Sequence, residues 1–200
     1  DGDMDLLLGN LGKDSMYNIS VEMPMIVSSR DVDGNGSVDP FIFISQKNNN
    51  GKWDMYPSQF WDNLTQQSPY FRQEFNSYKE FSKANLAYYQ EKGFLLKDQT
   101  YQVNYDASQW VENLGNGIFK MNPLPASLQL GPINDFLTIG DFDNQTILVV
   151  GNDFGGPPFE GNFDAFQGTT MKWNENKWET MSAQNSGFHV FKDAKELGIV

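Results

Sequence analysis

Apolar positions in this chain come in short bursts, separated by Gly, Asn, Asp and Ser, rather than in long helical stripes. The bursts are rich in Ile, Val, Phe, Trp and Thr, the residues that suit half-buried pleated surfaces. They predict strands over 4–9, 25–31, 41–45, 109–113, 118–121, 136–140, 147–151, 169–173 and 177–181. The Gly- and Asn-rich spacers predict tight turns. In Asn113-Leu114-Gly115-Asn116-Gly117-Ile118-Phe119, an Asn-Gly step is expected to join two strands as a hairpin.

Residues 58–93 break this pattern. Gly is almost absent there, and Pro69 is the only internal proline. Phe60, Trp61 and Leu64, then Phe71, Phe75, Tyr78 and Phe81, fall at helical spacings. Ser68-Pro69 reads as an N-cap followed by Pro at the first helical position. Two or three short helices are expected, with their aromatics serving packing rather than ligand binding.

A weak internal repeat is also visible. Asp5-Leu6-Leu7-Leu8-Gly9-Asn10 recurs as Ile147-Leu148-Val149-Val150-Gly151-Asn152, each after an acidic stretch. Repeated strand–turn units of this kind suggest a propeller or solenoid.

Composition narrows the functional classes. The chain has 200 residues, 14 Lys plus Arg against 26 Asp plus Glu, and a formal charge of −12. Such an acidic balance argues against nucleic acid and anionic membrane surfaces as partners. No apolar run approaches the ~20 residues of a membrane span. With no cysteine, disulfide scaffolds and thiolate sites are excluded. The chain opens on Asp1-Gly2-Asp3 without an initiator Met or signal peptide, so a segment cut from a longer protein is expected.

The most informative segment is Asp31-Val32-Asp33-Gly34-Asn35-Gly36-Ser37-Val38-Asp39. Asp31, Asp33, Asn35, Ser37 and Asp39 place oxygen donors at alternate positions. A hard cation such as Ca2+ takes about 6–8 oxygens, and a tight loop with alternate residues turned inward supplies them. Gly34 and Gly36 permit the sharp turns, and Ser37 most naturally offers its backbone carbonyl. The bidentate Glu of an EF-hand is missing, because Ile42 stands in its place within an apolar run. The expected element is therefore a calcium loop leading into a strand. The alternative is an Asx-rich turn without metal, in which three carboxylates would repel one another. Two related loops are incomplete. Asp1, Asp3 and Asp5 match only the later positions, and Asp141-Phe142-Asp143-Asn144-Gln145-Thr146 is shortened, so no metal is expected at the latter.

Catalytic signals are sparse. His189 is the only histidine and sits in the alternating segment Gly187-Phe188-His189-Val190-Phe191, where a partly buried strand residue is expected. One His and no Cys exclude cysteine–histidine catalysis and zinc sites with two or three histidines. Neither a Gly-x-Ser-x-Gly elbow nor a Lys-bearing phosphate loop occurs. A paired-carboxylate glycosidase stays open, with Asp106, Asp135, Asp153, Glu160 and Asp164 as candidates outside the acidic loop.

Several segments together resemble FG-GAP/VCBS-type repeats. They are DLLLGNLG at 5–12, DVDGNGSVDP at 31–40, SYKEF at 77–81, WVENLGNGIF at 110–119, PLPASLQLGP at 123–132 and GNFDAFQG at 161–168. In their order the chain resembles the Bacteroidetes VCBS-repeat proteins found beside the ASPIC/UnbV family. The resemblance implies an integrin-α-like β-propeller with calcium in its blade loops. It also implies export, to a secreted, periplasmic or outer-membrane-anchored bacterial location. It covers nearly the whole chain, departing at the shortened Asp141 loop and at Asn162, where Arg is expected.

The fold class expected is therefore mainly β, a partial array of about three propeller blades spanning 1–200, with a helical insertion at 58–93. The function expected is a calcium-stabilised binding or scaffolding module, more in keeping with a non-enzyme. Its partner would be an unknown protein or glycan ligand at the cell surface. The alternative is a carbohydrate-binding or carbohydrate-active propeller, with Trp53, Trp61, Trp110, Trp173 and Trp178 as candidate stacking residues.

Overall fold

The computed structural model describes residues 3–140, 145–156 and 161–199. The chain divides into two compact units, Asp1–Met16 with Asp106–Val200, and Tyr17–Tyr105. Among the described residues every strand pairing is antiparallel, and the fold is mainly β.

In chain order, β1 (Leu6–Leu8) belongs to the first unit. The second unit then contains β2 (Met25–Ser28), β3 (Phe41–Lys47) and β4 (Trp53–Pro57). Helices α1 (Trp61–Gln67), α2 (Tyr70–Glu74), α3 (Tyr78–Phe81) and α4 (Leu86–Glu91) follow, and β5 (Thr100–Val103) closes the unit. Its sheet has the order β4-β3-β2-β5. Strand β3 lies inside the sheet and reads Phe-Ile-Phe-Ile, with Phe41, Phe43 and Ile44 buried. Phe41 and Phe43 meet Leu64, Phe71, Phe75, Ala84, Tyr89 and Phe94 from the helical stretch and the turn after it. Full burial of such a side chain contributes about 1.5–3 kcal/mol, so this aromatic cluster fixes the helices on the sheet.

The helical stretch expected at 58–93 is present, with four short helices rather than two or three. Local chemistry sets their ends. Pro69 has helical angles (φ −58°, ψ −18°), while Ser68 before it is extended, giving the expected start of α2. At α3 the Ser77 hydroxyl accepts the Glu80 N–H (3.2 Å), and the Glu80 carboxylate accepts the Asn76 N–H (2.9 Å). This reciprocal arrangement is close to a capping box. Packing claims Phe71 and Phe75 as expected, but Phe60 and Tyr78 stay exposed.

The first unit resumes with β6 (Gln109–Asn113), β7 (Phe119–Pro123), β8 (Ile133–Ile139), β9 (Thr146–Gly151), β10 (Thr169–Asn174) and β11 (Lys177–Met181), then α5 (Ala183–Ser186). Strands β1, β6 and β7 form a three-stranded sheet, and β8 to β11 pair in chain order as a four-stranded meander. Leu124, Leu128, Ile133, Ile147, Val149, Phe166 and Met171 form the core of this unit. Leu7, Trp110, Phe136 and Trp178 pack around it. The expected hairpin at Asn116-Gly117 joins β6 to β7, with Asn116 at φ +53° and Gly117 at φ +76°.

All nine expected strands occur; β6 and β11 have the bounds read in the sequence, and the other seven differ from them at one or both ends. Strands β4 and β5 were not expected; both are edge strands of their sheet.

Candidate metal centre

The Asp31–Asp39 segment connects two neighbouring strands. Ser28 pairs with Phe41 across β2 and β3, so residues 29–40 form the loop of a hairpin. Two bonds fasten its base: Asp39 N–H donates to the Arg30 carbonyl (2.8 Å), and Val32 N–H donates to Asp39 Oδ2 (2.9 Å).

Inside the loop, backbone amides converge on Asp31. Gly34 and Asn35 N–H donate to its Oδ1 (2.7 and 3.1 Å), and Gly36 N–H donates to its Oδ2 (2.8 Å). This arrangement uses positive φ at Gly34 (+73°) and Gly36 (+88°), where a side chain would strain the backbone. Asn35 N–H also reaches Asp33 Oδ1 (3.2 Å), and Ser37 N–H donates to Asn35 Oδ1 (2.8 Å). A longer tie leaves the loop: the hydroxyl of buried Ser68, between α1 and α2, donates to Asp33 Oδ2 (2.8 Å).

One carboxylate oxygen from each of Asp31, Asp33 and Asp39 lies within 4.8 Å of the others. Asp39 is only 2% exposed, Asp31 is half-buried and Asp33 is exposed. Among the described residues, no Lys or Arg nitrogen comes within ion-pair distance of the three. The Gly36 amide, aided by those of Gly34 and Asn35, outweighs partial desolvation and holds the Asp31 carboxyl below its usual range. Like charges brought this close repel unless a cation joins them.

The donor set fits a hard divalent cation. Oxygens about 2.3–2.6 Å from one calcium stand up to about 4.6–5.2 Å apart, which accommodates the observed spacing. Of the five expected ligands, the three carboxylates converge. Asn35 and Ser37 are exposed on the same loop, and the Asn35 side-chain oxygen is engaged by the Ser37 amide. Ser68, marked in the sequence only as a helix cap, carried no signal of this contact, because it reaches the loop from 35 residues away.

The two related acidic loops belong to the first unit. Asp5 Oδ1 accepts Asn113 N–H (2.8 Å) and its Oδ2 accepts Trp110 Nε1–H (3.0 Å), so it fastens β1 to β6. Asp1, residues 141–144 of the shortened loop and Glu160 lie outside the described residues.

The other candidate carboxylates make structural contacts. Buried Asp106 pairs with Lys13. Asp135 Oδ2 accepts Leu197 N–H (2.7 Å), Asp153 binds Lys195 (3.2 Å), and Asp164 is exposed. The Gly155 amide and the Lys195 ammonium hold the Asp153 carboxyl below its usual range.

His189 departs from expectation. It is exposed and lies in irregular chain after α5, with Nε2 3.2 Å from Gln167 Oε1 and its ring against Phe191. The alternating apolar pattern around it forms no strand: among the described residues, Val190 N–H to the Gln167 carbonyl is the single backbone hydrogen bond that ties the run to another segment.

Three tryptophans cluster in the first unit. Trp173 packs on Trp110 (4.7 Å between ring centroids) and on Trp178 (5.1 Å), and remains 44% exposed. Trp53 lies beneath Lys47 Nζ (5.2 Å), and Trp61 Nε1–H donates to the Phe71 carbonyl (3.0 Å).

Among the described residues, no helix is long and apolar enough to cross a membrane. No protein-family profile, curated protein or solved structure matches the chain.

Proposed function

We propose that this chain is a calcium-stabilised segment of a β-propeller that serves as a secreted or cell-surface binding or scaffolding module. The observation that carries the reading is the convergence of Asp31, Asp33 and Asp39 in the β2–β3 loop, with no Lys or Arg nitrogen among the described residues within ion-pair distance. The β8–β11 meander supports it, since a propeller blade is a four-stranded antiparallel sheet. The two Gly-Asn strand ends support it as well, as does the likeness of the acidic loop to FG-GAP/VCBS repeats. Calcium suits the loop better than magnesium, which keeps several of its waters. Bound there, the ion would neutralise three carboxylates and pin the entry to β3.

Calorimetry in calcium and in excess chelator tests this reading. Calcium at 100 times its dissociation constant would stabilise the fold by about 2.7 kcal/mol. At about 2–4 °C per kcal/mol for a chain of this size, the melting temperature should rise by several degrees. An identical melting temperature in calcium and chelator would remove the metal from the proposal.

A second reading has one observation in its favour. The half-exposed indole of Trp173, braced by Trp110 and Trp178, offers a rigid apolar face of the kind that stacks on a sugar ring. A glycan array compares the intact chain with Trp173→Ala. Glycan binding lost in the variant would support this reading, and no binding by the intact chain would dismiss it.

A further inference from the structure

Asn-Gly occurs three times, at Asn35-Gly36, Asn50-Gly51 and Asn116-Gly117. Each step can modify itself. The Gly amide nitrogen gives up its proton to solvent base and attacks the Asn side-chain carbonyl carbon. A carbon–nitrogen bond forms, the bond to the side-chain nitrogen breaks, and that nitrogen leaves as ammonia after taking a proton from solvent. Water then opens the succinimide at one of its two carbonyls, leaving aspartate or isoaspartate. Glycine favours the attack because no side chain crowds its nitrogen.

Folding decides which of the three nitrogens is available. Gly36 N–H donates to the Asp31 carboxylate (2.8 Å), and the Asn35 side-chain oxygen accepts Ser37 N–H (2.8 Å). A negative acceptor opposes loss of the Gly36 proton, so both reacting groups of this step are restrained. Gly51 N–H donates to the Asn48 carbonyl (2.9 Å), within a turn that Asn48 Oδ1 also braces through Asn50 and Lys52 N–H.

The third step lacks such restraint. Its turn is closed by Ile118 N–H to the Gly115 carbonyl (3.0 Å) and Leu114 N–H to the Ile118 carbonyl (2.9 Å). Neither bond uses Gly117 N–H. Among the described residues, no hydrogen bond engages that N–H or the Asn116 side chain, and both residues are exposed.

We infer that Asn116 is the principal deamidation site of this protein, while the hydrogen bonds of Gly36 and Gly51 protect Asn35 and Asn50. Aspartate at this turn adds one negative charge. Isoaspartate also adds a backbone atom where β6 turns into β7, and so disturbs the hairpin register.

The test incubates the full chain in mildly alkaline buffer with chelator, native in one arm and in strong denaturant in the other. Peptide mapping by mass spectrometry follows the gain of about one dalton at each Asn. In the native arm Asn116 should convert several-fold faster than Asn35 or Asn50. In denaturant the three rates should draw together as those of Asn35 and Asn50 rise. The inference is overturned if Asn35 or Asn50 matches Asn116 in the native arm. It is equally overturned if the lead of Asn116 is the same in denaturant, because sequence alone would then explain it.

Discussion

Gly151 is pressed against the backbone of Pro132 so closely that a Cβ at 151 would stand 1.8 Å from the Pro132 carbonyl oxygen. The neighbouring Asn152 N–H donates to that same oxygen (2.9 Å). The related Gly-Asn step repeats the contact one residue along: a Cβ at Gly9 would lie 2.3 Å from the Ile133 carbonyl oxygen, and Ile133 N–H donates to the Asn10 carbonyl (3.1 Å). Both copies of the apolar repeat therefore end on one stretch of backbone in the first unit.

The glycine requirement at 151 is testable. Overpacking costs typically about 1–3 kcal/mol, and here the obstacle is backbone rather than a flexible side chain, so Gly151→Ala should cost at least about 3 kcal/mol. Gly155→Ala is the control, since among the described residues its Cβ would meet only Asp153 Oδ1, at 3.4 Å. Urea midpoints of the two variants measure the difference. Equal midpoints would mean that the strand end yields easily and the contact is not restrictive.

Asn152 provides the second prediction. It is 1% exposed, with φ at +77°. Its side chain accepts Phe166 N–H (3.1 Å) and donates to the Phe166 carbonyl (2.5 Å). Asn152→Ala leaves both Phe166 groups buried without partners, at about 1–3 kcal/mol each, and keeps a Cβ at positive φ. Asn152→Gly loses the same bonds but relieves the backbone. Chemical denaturation should rank wild type above Asn152→Gly and Asn152→Gly above Asn152→Ala. A reversal of the two variants would show that the left-handed backbone matters less than the remaining Cβ contacts.

Much of this architecture is legible locally, and what is not legible is non-local. The apolar bursts locate nine strands, and several of them carry core residues, as in Phe41–Lys47, whereas β7 is largely exposed and is marked by its turn and its apolar residues alone. Strands β4 and β5 escape notice because, as edges, they carry mixed sequences such as Trp-Asp-Met-Tyr-Pro and Thr-Tyr-Gln-Val. Pro57 is tolerable at such an edge. At the acidic loop, residue spacing brings Asp31, Asp33 and Asp39 to notice, since Asx side chains bond nearby amides. The pairing of β2 with β3, the burial of Asp39 and the Ser68–Asp33 bond depend on tertiary contacts that no local pattern encodes.

Asp39 separates the structural and metal-binding roles of the loop. Asp39→Asn keeps a side-chain oxygen for Val32 N–H but removes one of three crowded negative charges. In chelator its melting temperature should equal or exceed that of wild type, while the rise produced by calcium should largely vanish. Asp39→Ala also loses the Val32 bond and should fall by about 1–3 kcal/mol in either condition. Thermal melts of the three proteins, with calcium and with chelator, check both. A full calcium response in Asp39→Asn would exclude Asp39 as a ligand.

The pH dependence of stability should show an acid limb and an alkaline limb, both involving Glu74. Burial pushes the Glu74 carboxyl up, but the Tyr88 hydroxyl and the Lys92 ammonium (3.0 Å) bring it below its ordinary 4.5. Asp31 and Asp153 are likewise held below 3.8, chiefly by the Gly36 and Gly155 amides, and Asn174 and Lys177 hold Glu179 below 4.5. Each lowered carboxyl stabilises the fold above its unfolded value, and that contribution disappears as pH falls through the lower folded value. Lys92 is raised above 10.5 by Glu74, and Tyr88 is raised above 10.0 by burial and by Glu74. Their contributions are complete below those unfolded values and are lost as pH rises through the higher folded ones. Glu74→Gln removes the charge behind both effects. Its unfolding free energy should therefore change less steeply with pH than that of wild type, below about pH 4.5 and above about pH 10. Urea titrations across the pH range give both slopes, and parallel curves for the two proteins would show that the Glu74–Tyr88–Lys92 cluster does not govern them.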